Sequence, residues 1–151
     1  ALYVGISRWP LSALSIAETY LRERDVPMLI YQGRLNLIDR APKDEGILNF
    51  CQEHGIGFIS FSPLAQGLLT DRYIDGRPSD SRMAKGRSLR PEMLTADIAG
   101  QLKLYHQEAS AQGLSLPEYA LRWILQQEGV TSVLVGASSV EQLKQNLRCT
   151  E

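Results

Sequence analysis

Along the chain, short continuous apolar runs alternate with longer stretches in which apolar residues recur every three or four positions. Leu2-Tyr3-Val4-Gly5-Ile6, ending at Ser7, reads as a buried strand, and Met28-Leu29-Ile30-Tyr31, ending at Gln32, reads as a second. Gly57-Phe58-Ile59-Ser60-Phe61 and Thr131-Ser132-Val133-Leu134-Val135 are the third and fourth. Between the first two, Leu14, Ala17 and Leu21 share one face of a helix predicted over about 11–24, with Ser12 or Ser15 near its start. Asp25-Val26-Pro27 breaks that helix. Ile47, Leu48, Phe50 and Cys51 form the stripe of a second helix, which His54-Gly55 closes at a position suited to a left-handed residue. Leu94, Ile98, Leu102, Tyr105 and Ala109 define a third helix. Ser115-Leu116-Pro117-Glu118 opens a fourth with a capping-box pattern, predicted to run through Trp123 to Gly129. Val140, Leu143 and Leu147 mark a fifth.

Continuous apolar strands alternating with helices predict an α/β fold with a parallel sheet and right-handed crossovers. No linker divides residues 1–151, so one domain is expected. The first three strands recur at about 26–29 residues, without enough similarity to be a repeat. The segment from Ser62 to about Met93 is dense in Gly, Pro, Ser and Arg, and loops of that length in compact domains are usually functional.

Composition narrows the class. Hydrophobic residues are 44% and charged residues 22% of the chain, which excludes a disordered tail, a collagen-like fibre and a coiled coil. Sixteen basic residues against seventeen acidic ones give a net charge of −1, so no global field favours nucleic acid or an anionic membrane. Cys51 and Cys149 form neither a metal-binding spacing nor a disulfide framework, which fits a reducing cytoplasm. No apolar run approaches a membrane span. Ala1 to Gly5 lacks the basic region and cleavage site of a signal peptide, and is expected to be the inside of a strand in a fold already begun.

In parallel α/β folds, ligands bind beyond the carboxyl ends of the strands. Those positions hold Ser7-Arg8, Gln32, Ser62-Pro63-Leu64-Ala65-Gln66-Gly67-Leu68 and Gly136-Ala137-Ser138-Ser139. Gly136 lets a backbone pass close to a ligand. Ser138-Ser139-Val140-Glu141 is a capping-box pattern whose free N–H groups suit phosphate, and it reads equally as a capped strand-to-helix turn without a ligand. Residues 71–90 carry Arg72, Arg77, Arg82, Lys85, Arg87 and Arg90 against Asp71, Asp75 and Asp80. Guanidinium forks suit phosphate, and a solvated loop is the plainer reading. Gln32 suits a carboxamide or a loop hydrogen bond. Tyr31 and Phe61 read as core, His54 and His106 as surface residues, and Cys51 as an inert buried thiol.

These clusters occur together in one arrangement. Val4-Gly5-Ile6-Ser7, Phe61-Ser62-Pro63-Leu64-Ala65-Gln66-Gly67 with Leu69-Thr70-Asp71-Arg72-Tyr73, and Val133-Leu134-Val135-Gly136-Ala137-Ser138 resemble the C-terminal half of an aldo-keto reductase. That family forms a (β/α)8 TIM barrel and binds NADPH. The resemblance runs from barrel strand 5 to helix 8 and implies a half barrel, strands 5–8. The nearest branches look like bacterial L-glyceraldehyde 3-phosphate reductases and voltage-gated potassium channel β subunits, with Ser7-Arg8 similar to the latter.

The resemblance implies that Ser7, Arg8 and Gln32 hold the nicotinamide carboxamide and ribose side of NADP(H), with Phe61 packing on the ring. It implies that Ser62, Pro63, Leu64, Ala65 and Gln66 cradle the pyrophosphate, assisted by Arg72. Arg82, Gly136, Ser138, Gln142 and Asn146 would surround the adenosine and its 2′-phosphate. No metal is implied. None of Tyr3, Tyr20, Tyr31, Tyr73, Tyr105 or Tyr119 matches the family's catalytic tyrosine, and its catalytic Lys, Asp and His also find no counterpart. The expectation is a cofactor-binding half whose family reduces small-molecule carbonyl substrates, inactive by itself and able to self-associate through exposed barrel edges. The alternative is a non-catalytic nucleotide-binding regulatory module.

Overall fold

The computed structural model describes residues 2–74 and 91–150. Four strands, β1 (Val4–Ser7), β2 (Met28–Arg34), β3 (Gly57–Phe61) and β4 (Val130–Val133), form one parallel sheet in the order β1-β2-β3-β4. Helix α1 (Leu11–Arg22) joins β1 to β2, and α2 (Ala41–Asp44) and α3 (Ile47–Glu53) join β2 to β3. Helices α4 (Ala96–Ala111) and α5 (Leu116–Leu125) precede β4, and α6 (Val140–Leu147) follows it. Among the described residues, no helix is long and apolar enough to cross a membrane.

Register decides what each sheet face does. Ile6, Tyr31, Phe58 and Val130 lie in one row across the four strands. Tyr31 and Phe58 stack at 5.7 Å between ring centres and pack with Leu14, Leu48, Cys51 and Ile124 from the helices. The adjacent row, Ser7, Gln32, Ile59 and Ser132, lies on the opposite face, where Ser7 and Ser132 are exposed. Parallel sheets are normally covered on both faces; in the described residues this one is well covered on one. A second core, with Leu37, Leu68, Leu69, Tyr73, Leu102 and Leu116, joins α4 and α5 to the segment after β3. Trp123 packs against both cores.

Most predicted elements form, with local corrections. Strand β1 starts at Val4 rather than Leu2, and Leu2 and Tyr3 are exposed. Helix α1 begins at Leu11 after Pro10, with Ser12 in its first turn, near the start as expected. Strand β2 continues two residues beyond Gln32 because Gly33 lets the chain pass under Phe58; a Cβ there would stand 2.7 Å from the ring. Gly55 takes the expected left-handed conformation (φ +67°). The short α2, with Pro42 in its first turn, was absent from the predicted elements. Helix α5 stops at Leu125, before the predicted Gly129. Strand β4 runs from Val130 to Val133, so Leu134 and Val135 leave the ladder, although Leu134 N still donates to Ser60 O at 2.8 Å. Helix α6 forms where expected, but its marker residues Val140, Leu143 and Leu147 are exposed.

Candidate functional site

The carboxyl ends of β3 and β4 open into a cleft of about 610 Å³. Ser62, Pro63, Leu64 and Gln66 line one side, with Asp71 and Arg72 below them. Gly136, Ser138, Gln142, Gln145 and Asn146 line the other, and Pro117 of α5 contributes between them. The structure therefore brings together nine of the predicted binding residues from segments far apart in sequence. Ala65 sits within the same turn, between Leu64 and Gln66.

The backbone after β3 is unusual. Ser62, Ala65 and Gln66 all have positive φ, at 51°, 46° and 60°. Non-glycine residues in the left-handed region cost of order 1–3 kcal/mol each, and such strain clusters at ligand sites. It is held by neighbours. Asn36, 1% exposed, donates through Nδ2 to Ser62 O at 3.1 Å. Its Oδ1 accepts from Ile38 N and Asp39 N, at 3.0 and 2.8 Å. Buried Ser60 donates its hydroxyl to Leu35 O at 2.8 Å, fixing the neighbouring residue of the same loop. Thr70 Oγ1 donates to Gly67 O at 2.7 Å and closes the turn below.

Gln66 Oε1 is shut off from solvent and has no hydrogen-bond partner among the described residues. A buried, unmatched carbonyl oxygen in a cleft wall is costly unless a ligand satisfies it. Cβ atoms added at Gly67 or Gly136 would meet nothing within 4 Å, so a ligand can approach the backbone at both.

On the second wall the capping differs from the expected pattern. Ser139, not Ser138, caps α6, its hydroxyl accepting from Gln142 N at 3.2 Å. Gln142, not Glu141, reaches back, its Oε1 accepting from Ser138 N at 2.8 Å. The box is displaced by one residue, and both of these N–H groups are already engaged.

The remaining predicted residues lie outside this cleft. Ser7 and Gln32 are register partners on the less covered sheet face. Phe61 is the partner of Arg34, whose guanidinium lies 5.7 Å from its ring centre. Arg8, left-handed at φ 60°, lines a smaller hollow of about 290 Å³ with Trp9, Tyr31 and Arg34. Tyr31 donates its hydroxyl to Trp9 O at 2.7 Å, and burial pushes its phenol up. Arg82 lies outside the described residues, as do Arg77, Lys85, Arg87, Arg90, Asp75 and Asp80. Among the described residues, no three His, Cys, Asp or Glu gather to hold a metal.

Sequence reasoning missed Asn36, a polar residue between Leu35 and Leu37. Its signal was that an amide flanked by buried leucines must find partners. Read only as a surface residue, His106 in fact places Nδ1 3.3 Å from Asp71 Oδ1, with that nitrogen buried. Cys51 is buried as expected, and desolvation pushes its thiol up to about 11.

A model of the aldo/keto reductase family matches residues 1–151. L-glyceraldehyde 3-phosphate reductase of Escherichia coli strain K12 is 44% identical over 98% of the chain, and that of Escherichia coli O157:H7 is 45% identical over the same share. The chain spans 44% of each of these proteins. Among solved structures, a thermostable aldo-keto reductase in complex with the inhibitor epalrestat superimposes with a TM-score of 0.67 at 25% identity. That likeness covers 98% of this chain and 42% of the other.

Proposed function

The chain belongs to the aldo/keto reductase family, a family of oxidoreductases, and from that premise we propose that it is the NADP-binding, C-terminal half of a carbonyl-reducing barrel, strands 5–8. The observation that carries the reading is the cleft between the β3 and β4 ends, where strained backbone, an unmatched Gln66 Oε1 and two open glycines meet. Its volume is in the range of ordinary ligand sites.

The residues present fit a dinucleotide phosphate. The Ser62–Gln66 turn and Arg72 would hold the pyrophosphate, and Gly136, Ser138, Gln142 and Asn146 the adenosine end. The Gln66 amide oxygen would accept from a cofactor hydroxyl, ending its burial without a partner. Ser7 and Gln32, neighbours in one row, would grip the carboxamide at the other end, and Phe61 would pack on its ring. When bound, the cofactor supplies a hydride. The chain's own residues orient it; none takes the family's proton-donating tyrosine role. Reduction of a carbonyl needs an acid at the developing alkoxide, so the isolated chain is expected to bind the cofactor without turning over aldehydes. The relatives named for L-glyceraldehyde 3-phosphate support a small, polar aldehyde as the substrate class of the whole enzyme.

The test is a fluorescence titration of the purified chain with NADPH and NADH, repeated with Arg72→Ala. Charged phosphate contacts are worth roughly 1.5–3 kcal/mol, so Arg72→Ala should weaken NADPH by about tenfold or more. A wild-type chain that binds neither cofactor, or an Arg72→Ala chain that binds NADPH unchanged, refutes the assignment.

A further inference from the structure

Asp71 presents a problem in a cleft meant for phosphates. It lines the cleft beside Arg72, and a carboxylate facing a polyanion repels it. The structure shows what restrains it. Asp71 begins the turn Asp71–Tyr73, and its Oδ1 accepts from the backbone N–H of Leu116 at 3.3 Å. Leu116 is the first residue of α5, where free N–H groups and the helix dipole favour negative charge. From the other side, His106 of α4 places Nδ1 3.3 Å from the same oxygen.

That contact is close without the alignment of a hydrogen bond, and Nδ1 is otherwise cut off from solvent and unpartnered among the described residues. A ring nitrogen at this distance attracts a carboxylate when it bears a proton. The pair is an electrostatic contact between ring and carboxylate.

The α5 N-terminus also reaches the opposite wall. Gln145, which lines the cleft from α6, donates through Nε2 to Ser115 Oγ at 3.2 Å. Ser115 itself is fixed by Glu118, whose Oε2 accepts from Ser115 N at 2.8 Å and from Ser115 Oγ at 2.6 Å. One helix end thus pins both cleft walls, and Asp71 is the link to the wall that carries Arg72.

We propose that His106 is a positioning residue for phosphate binding: it holds the Asp71 carboxylate against the α5 N-terminus, turned from the ligand, and so fixes the turn bearing Arg72. The inference rests on the proposed cofactor site and adds to it a residue that touches no ligand. Its consequence is specific. The harm done by losing His106 comes from the released charge of Asp71, so removing that charge should undo it.

The experiment is a double-mutant cycle on the chain, reading the dissociation constant for NADP⁺ and the thermal unfolding midpoint. His106 is partly exposed, so His106→Ala should fold. His106→Ala should weaken NADP⁺ by roughly fivefold, the size of a partly exposed charge contact. Asp71→Asn retains an acceptor for Leu116 N and should bind at least as tightly as wild type. Adding Asp71→Asn to His106→Ala should restore affinity to within about twofold. A purely structural role for His106 predicts no such rescue, and its absence overturns the proposal. So does a His106→Ala chain that binds NADP⁺ as tightly as wild type. A wild-type chain that binds no NADP⁺ fails the cofactor assignment, and this inference with it. Should His106→Ala unfold, His106→Gln takes its place in the same cycle, with the same two outcomes.

Discussion

Asn36 is the residue on which the strained turn depends, and its removal is the sharpest test of the site's architecture. Asn36→Ala deletes three hydrogen bonds at once: the donor to Ser62 O and the acceptor shared by Ile38 N and Asp39 N. A net bond is worth about 1 kcal/mol, and a buried group left unmatched costs about 1–3 kcal/mol. Ile38 and Asp39 are only half-buried, so water can rescue part of the loss. The expected destabilisation is therefore about 2–4 kcal/mol, a large fraction of an ordinary domain's stability. Urea unfolding followed by circular dichroism gives the value directly, read from the midpoint at constant slope. Asn36→Asp separates the two halves of the effect. It keeps the acceptor for the two N–H groups, loses the donor, and sets a carboxylate oxygen against the Ser62 carbonyl. With that charge buried against a carbonyl, it should be at least as destabilising as Asn36→Ala and more harmful for cofactor affinity. An Asn36→Ala chain within about 0.5 kcal/mol of wild type would refute the reasoning, because the Ser62 conformation would then be held by something else.

Two further outcomes are expected. The Ser115 hydroxyl holds the Glu118 carboxyl below the ordinary carboxylate range, so folding favours its ionised form. That contribution is present above the unfolded-state value and is lost as pH falls through the folded one; unfolding free energy measured from neutral to acid pH should decline, and Glu118→Gln should flatten part of the decline. An identical acid limb in both proteins would rule the capping box out as its source. Separately, among the described residues β1 and β4 each have one neighbour in the sheet, and neither strand holds the Lys or Pro that blunts an edge. We expect the isolated chain to self-associate; light scattering across a dilution series should give masses above the 16.9 kDa monomer, and a monomer throughout would show the edges to be covered otherwise.

The strands and most helices were legible because burial writes itself into short-range pattern. Strand β3 coincides with its apolar run, and the Ser115–Glu118 box sits where its residues predicted. The misses have physical causes. Leu134 and Val135 are as apolar as β4 but lie past the last ladder residue, and apolarity marks burial preference rather than pairing. Ser138 and Ser139 are chemically equivalent caps, so only the backbone decides which one serves. Clusters at strand ends pointed to the cleft, since the parallel topology gathers them at one end. Its supports were invisible: Asn36 reaches Ser62, and Asp71 reaches His106 and Leu116, across separations that no local pattern encodes.

The unequal crossovers carry a kinetic consequence. The chain returns to the sheet soon after β1 and β2, from Ser7 to Met28 and from Arg34 to Gly57, but only after a far longer excursion from Phe61 to Val130. Each doubling of a loop adds about 0.6 kcal/mol of closure entropy. The first three strands can therefore nucleate from nearby segments, while β4 and α6 dock late. Since α6 and the residues after β4 supply one whole wall of the cleft, the binding site is expected to be completed late in folding. If it is, a ligand seated there should retard unfolding far more than it hastens folding, which stopped-flow unfolding with and without ligand would read.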